Sequence, residues 1–156
     1  MAMAKRASKK GTRSIPAQNN YCFGCGPDNT HGMHLKFRFD KKHARVTCSV
    51  RLDARFAGPP GYAHGGIIAT MLDEIMAKLN KLKAVTSVTG HLAVDYLRPV
   101  PLGKPIHLEA LETRVSGRRR FREAEIVDSQ QKVLVRGKGI FITVDPQKVF
   151  GVRRES

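Results

Sequence analysis

Apolar residues recur along this chain with two periods. From Gly65 to about Leu82 there is no proline and no turn cluster, and Ile68, Leu72, Ile75, Leu79 and Leu82 follow one another at steps of three and four. That spacing predicts one amphipathic helix with a single apolar stripe. At ~1.5 Å per residue it is roughly 27 Å long, enough to cross a small sheet. Nearly everywhere else the period is two. Leu35, Phe37 and Phe39 alternate with Lys36, Arg38 and Asp40, and Val46, Cys48, Val50 and Leu52 repeat the pattern after a break at Lys41-Lys42. These read as an antiparallel pair with Cys48 as a small core residue.

After Lys83 the code is strand throughout, over 86–98, 106–115, 119–127 and 133–144. Prolines 99, 101 and 105, then Ser116-Gly117, then Asp128-Ser129-Gln130 separate the four runs, and the last two gaps have hairpin length. An antiparallel meander is expected. On the first of these strands Val88, Leu92, Val94 and Tyr96 are expected to share one face, with Thr89, His91 and Asp95 on the other. The fold class is therefore α+β, with one long central helix wrapped by an antiparallel sheet of about six strands. A single helix covers one sheet face only, so a homo-oligomer, dimer or tetramer, is expected.

The domain reading is a basic, disordered arm over 1–20, one domain over 21–145 and a tail over 146–156. The net charge is +15. Five of the positive charges (Lys5, Arg6, Lys9, Lys10, Arg13) lie in the arm, which holds no acid, and leave +10 on the body. Such a balance suits polyanions: nucleic acid, an anionic membrane surface, or phosphate-bearing small molecules. No apolar run approaches the ~20 residues of a membrane span. The first residues are basic and hydroxylated, unlike a secretory signal. An odd count of three cysteines then points to a reducing, cytoplasmic setting.

Candidate chemistry gathers at the helix. Glu74 precedes Lys78 by four residues, the order of an exposed ion pair, and reads as a solvated charge. Asp73 falls on the other margin of the stripe, between Ala69 and Ala77. A carboxylate on a half-apolar edge costs free energy unless something pairs or uses it, so Asp73 is the candidate functional acid, with a structural ion pair as the alternative. His64-Gly65-Gly66 opens the helix, where unpaired N–H groups and the positive dipole end favour a developing oxyanion. Upstream, Cys22-Phe23-Gly24-Cys25 is followed by His31 and His34. The Cys-to-His gap is too short for a finger and there is no second Cys pair to close a ribbon, so a tight, glycine-shaped loop is expected and no metal.

His64-Gly65-Gly66 with Asp73 nine residues after the histidine, together with Tyr96-Leu97-Arg98-Pro99-Val100-Pro101-Leu102-Gly103, resembles the hot-dog-fold acyl-CoA thioesterase superfamily. The resemblance spans roughly residues 20 to 145 and includes the Cys-x-x-Cys-Gly segment and the Gly117-Arg118 turn. It implies hydrolysis of an acyl-CoA thioester, with coenzyme A as part of the substrate and no other cofactor. It implies that Asp73 is the base or nucleophile, that the Gly66 N–H binds the thioester oxygen, and that His64 shapes the entrance beside Gly65. Thr89 then orients the attacking water, facing Asp73 of another subunit across a dimer seam. His91 and Asp95 depart from the family's usual residues and are expected to bear on substrate choice. Arg118, Arg119 and Arg120, at a hairpin tip, suit the phosphates of coenzyme A.

Two other readings stay open on the sequence. One is a hot-dog protein that binds acyl-CoA without turnover. The other is a basic nucleic-acid-binding module, against which stands an aromatic content of 6% with no aromatic-basic stacking pattern in the strands.

Overall fold

A computed structural model describes residues 19–151. The order is β1 (Phe37–Asp40), β2 (Arg45–Arg51), a 3-10 turn at Ala54–Phe56, α1 (Gly65–Lys83), β3 (Ser87–Tyr96), β4 (Pro105–Ser116), β5 (Arg119–Asp128), β6 (Val133–Thr143) and α2 (Pro146–Phe150). The basic arm lies outside the described residues, apart from its last two. The predicted tail begins as the short helix α2, whose first turn is capped by Asp145 accepting from the Gln147 N–H at 3.0 Å.

The six strands form one antiparallel sheet in the order β1-β2-β4-β5-β6-β3. Helix α1 lies across one face of it. Ile68, Leu72, Ile75 and Leu79 are buried as the period requires, and Met71 and Met76 join them. They meet Val46, Ile106, Leu108, Ile126, Val135 and Phe141 from the sheet. The close seat of α1 on β6 depends on glycine. A Cβ on Gly139 would lie 3.2 Å from Met76 Sδ and 2.6 Å from the Phe141 ring. The helix ends at Ala84, in the left-handed region (φ 50°), with its N–H on Asn80 O.

A charged clamp, invisible to the apolar periodicity, fixes α1 to the sheet. Arg122, fully buried on β5, donates to Glu112 Oε2 (3.1 Å), to the Asn80 side chain (2.8 Å) and to the helix carbonyl of Met76 (2.8 Å). Asn80 in turn accepts from the Ser87 hydroxyl at 2.6 Å, which ties the end of α1 to the start of β3. Burial lowers the Arg122 pKa, opposed by the Glu112 carboxylate beside it.

The opposite sheet face carries cross-strand ion pairs: Arg45 with Glu109, Arg136 with Glu125 at 2.8 Å, and Lys138 with Glu123 at 3.8 Å. A face of that kind is at ease in water. The face away from α1 is uncovered, as expected, and carries these charges. The sheet has two open edges, the four-residue β1 and the ten-residue β3.

Candidate functional site

The two motifs of the sequence form one structure. The loop before α1 is stitched to the segment after β3: Ala63 N–H donates to Val100 O (2.9 Å) and Leu102 N–H to Gly61 O (3.0 Å). His64 is thereby placed at the N-cap of α1, its own N–H on Phe56 O at 2.9 Å. Its ring Nδ1 accepts the Gly66 N–H at 2.9 Å, as N-cap side chains do with the second or third helical residue. The Gly66 N–H, expected to meet a thioester oxygen, thus already has an acceptor. Among the described residues no acceptor faces the Gly65 N–H, the first donor of the helix.

Tyr96, expected on an apolar strand face and as the first residue of the Tyr-Leu-Arg-Pro run, closes this corner. Its hydroxyl donates to Gly65 O at 2.9 Å. Tyr96, Tyr62, Gly65, Ile68 and Val100 line an apolar cleft of 440 Å³ beside the helix start. The peptide between Gly65 and Gly66 is held at both ends, its carbonyl by Tyr96 and its N–H by His64.

Two turns further along α1, Asp73 Oδ1 accepts the Thr89 hydroxyl at 2.6 Å. The contact forms within one chain, whereas the resemblance had led to a contact between subunits. The face assignment on β3 also changes. Between Thr89 and His91 the register with β6 slips, so Gly90 is an extra residue opposite Phe141 and Ile140. The bulge reverses the alternation. Thr89 shares the helix-facing side with Leu92, Val94 and Tyr96, opposite Phe141, Gly139, Gly137 and Val135. His91 and Asp95 point to the other side of the sheet, away from Asp73. His91 there lines a concavity with Phe121, Lys138 and Ile140.

The hairpin arginines separate as well. Adjacent strand residues alternate faces. Arg118 and Arg119 are exposed at the β4–β5 turn, while Arg120 bonds Glu112 at 2.8 Å with 13% of its side chain accessible. Arg120 belongs to the clamp around Arg122 and is not free to meet a phosphate.

Glu74 departs furthest from its sequence reading. Only 15% of its side chain is accessible, because the Cys22–Cys25 loop lies over it. Lys78 Nζ is 2.9 Å from Glu74 Oε1 and 2.9 Å from Cys25 Sγ, and Cys22 Sγ is 3.6 Å from both carboxylate oxygens. Burial raises the Glu74 pKa, but the bonds from Cys25, Lys78 and Cys22 outweigh it and the net shift is downward. Burial and the adjacent carboxylate push the Cys25 thiol up to about 12, against the pull of Lys78. His31 and His34 stand outside this cluster. Cys48 is buried in the core, as expected.

A profile of the thioesterase superfamily matches residues 60–135, which holds the helix start, Asp73, Thr89 and the segment after β3. Acyl-coenzyme A thioesterase THEM4 of Rattus norvegicus is 29% identical over 118 residues, covering 75% of this chain and 51% of the rat protein. THEM4 of Xenopus laevis is 29% identical over 158 residues, covering 89% of this chain and 71% of the frog protein. Among solved structures, a thioesterase superfamily protein superposes with a TM-score of 0.72 at 29% identity, over 75% of this chain and 60% of its own. The chain thus spans 51% and 71% of the length of these two named relatives. With a six-stranded antiparallel sheet around one main helix, and with these similarities centred on the same residues, the chain has the hot-dog fold and is similar to the thioesterase superfamily.

Proposed function

We propose that this protein hydrolyses acyl-coenzyme A thioesters in a site shared between two copies of the chain. The observation that carries the reading is the Thr89 hydroxyl held 2.6 Å from the Asp73 carboxylate, at the margin of α1 beside the open sheet edge. With its proton on Asp73, the hydroxyl keeps lone pairs for a water molecule, which Asp73 can also accept from. Asp73 takes a proton as the water oxygen bonds to the thioester carbon. The carbonyl oxygen becomes an oxyanion, and as the C–S bond breaks the proton passes from Asp73 to the coenzyme A sulfur.

The oxyanion needs a donor about 3 Å away. The Gly65 N–H suits it, but Gly65 precedes Asp73 by eight residues, roughly 12 Å along the helix. One chain cannot bring both groups to one carbonyl. A second copy that adds its β3 antiparallel to this β3 runs its helix the other way and supplies Gly65 to the first chain's Asp73. Pairing also removes the exposed edge. In this arrangement the cleft at Tyr62 and Tyr96 receives the acyl group, and Arg118 and Arg119 remain available to the coenzyme A phosphates. Residence in the cytoplasm goes with the same proposal.

Thiol release from a panel of acyl-CoAs, read with a chromogenic disulfide, tests the reaction. Asp73→Asn keeps the size and removes the base, so kcat should fall roughly 10²-fold or more. Thr89→Val, which keeps shape and loses the hydroxyl, should fall between that variant and wild type. Full activity in Asp73→Asn, or acyl-CoA binding with no thiol release by the wild type, overturns the proposal.

A further inference from the structure

The loop that carries Cys22 and Cys25 folds back onto the middle of α1 and is held there by its own backbone. Gly26 N–H donates to Cys22 O at 2.8 Å, and Phe23 O and Gly24 O accept from Met33 (2.7 Å) and Leu35 (2.9 Å). One ligand-type atom from each of Cys22, Cys25 and Glu74 lies within 4.8 Å of the other two. Cys22 Sγ stands 3.6 Å from the Glu74 oxygens. In a tetrahedral zinc site, with Zn–S of ~2.3 Å and Zn–O of ~2.0 Å, sulfur and oxygen are roughly 3.5 Å apart. One edge of such a tetrahedron is therefore already in place.

Two further features mark this cluster as more than a chance meeting. The Lys78 ammonium lies between Cys25 Sγ and Glu74 Oε1, so one sulfur and the carboxylate already converge on a positive charge. The loop is also seated closely: a Cβ on Gly24 would stand 2.7 Å from Glu74 Cγ and 3.0 Å from Oε2, so a larger residue there would displace the carboxylate from the two sulfurs.

We propose that Cys22, Cys25 and Glu74 form a binding site for a thiophilic divalent cation such as zinc, with water as the fourth ligand. Soft thiolate ligands favour such ions over magnesium or calcium. On binding, each thiol loses its proton to solvent as a metal–sulfur bond forms, and the Glu74 carboxylate supplies the third bond. Two thiolates, one carboxylate, the dication and Lys78 sum to zero charge. Lys78 withdraws its ammonium from Cys25 by rotating its flexible stem. The site staples the 20–35 loop to α1 one residue from Asp73, and it does not depend on the thioesterase reading. Spacing in the sequence could not show it, because the third ligand comes from the helix, 52 positions beyond Cys22.

The full chain, stripped with a chelator and kept reduced, is titrated with Co²⁺ alone and then with Zn²⁺ alone. The expected result is one ion per chain, with thiolate-to-cobalt charge-transfer absorption and the d–d bands of a tetrahedral ion. Cys22→Ser and Cys25→Ser should each roughly halve the charge-transfer band, and the double variant should lose it. Glu74→Gln should keep the band and weaken binding more than ~10-fold. Zinc should raise the Tm of the wild type and leave that of the double variant unmoved. Absence of the band in the wild type, or equal uptake by the double variant, overturns the site. Should the variants fail to fold, alkylation of the wild type decides: zinc must protect both Cys22 and Cys25, and unchanged labelling overturns the proposal.

Discussion

Asp73 and Glu74 are neighbours in the chain and strangers in chemistry. Helical geometry sends them to different margins of α1, and that much was legible from the apolar stripe. Asp73 meets a hydroxyl at the sheet edge; Glu74 disappears under a loop. The second fate was hidden, because a Glu–Lys pair at four-residue spacing has the same sequence whether water or a loop covers it. The difference is measurable. Glu74→Gln leaves the Lys78 ammonium and two thiols beside a neutral amide in a half-buried place. Bonds to a charged group contribute ~1.5–3 kcal/mol, so the metal-free protein should lose stability on that scale while kcat stays within about tenfold of wild type. Urea denaturation of the chelated protein reads this directly, and a change below ~0.5 kcal/mol returns Glu74 to the status of a surface charge. Thr89 teaches a related lesson. It was expected to face Asp73 of another subunit and to lie on the other strand face; it meets its own chain's Asp73 instead, since alternation cannot register the extra residue at Gly90.

At the scale of elements, all six strands and the long helix were readable, to within a residue or two at most ends, from periods of two and of three to four. What periodicity could not supply was the means of holding α1 in place. Arg120 and Arg122 look like two more charges in a basic hairpin, but both stand on the inward side of β5 and meet Glu112, whose side chain is 5% accessible. Removing one partner of a buried pair strands the other, which costs ~3–5 kcal/mol. Arg122→Met should therefore destabilise the protein by about that much, and also free the Met76 carbonyl and the Asn80 side chain. Arg120 still holds Glu112 in that variant, so adding Glu112→Leu leaves Arg120 without its partner and should deepen the loss. Chemical denaturation of both variants checks this; a double variant as stable as Arg122→Met alone means that Arg120 does not depend on Glu112.

At the scale of the whole molecule, the proposed mechanism needs two chains to span the roughly 12 Å between the Gly65 N–H and Asp73, and that need can be tested without a structure of the assembly. Asp73→Asn removes the base. Gly65→Pro removes the proposed oxyanion donor at the first helical position, where proline is well tolerated because its missing N–H serves no helical bond. His64 already has the extended conformation that a following proline prefers, with ψ 138°. Each variant alone should fold as an oligomer and be nearly inactive. Mixed in equal amounts and allowed to exchange subunits, they form mixed dimers in which one site carries both defects and the other carries neither. Half of the dimers are mixed and each has one of two sites intact, so about a quarter of wild-type activity should return. If Gly65 and Asp73 served the same site from one chain, every site in every dimer would hold a defect and no activity would return. A mixture confirmed as exchanged by native mass spectrometry that stays inactive would therefore sink the shared site, even if each parent variant behaved as expected.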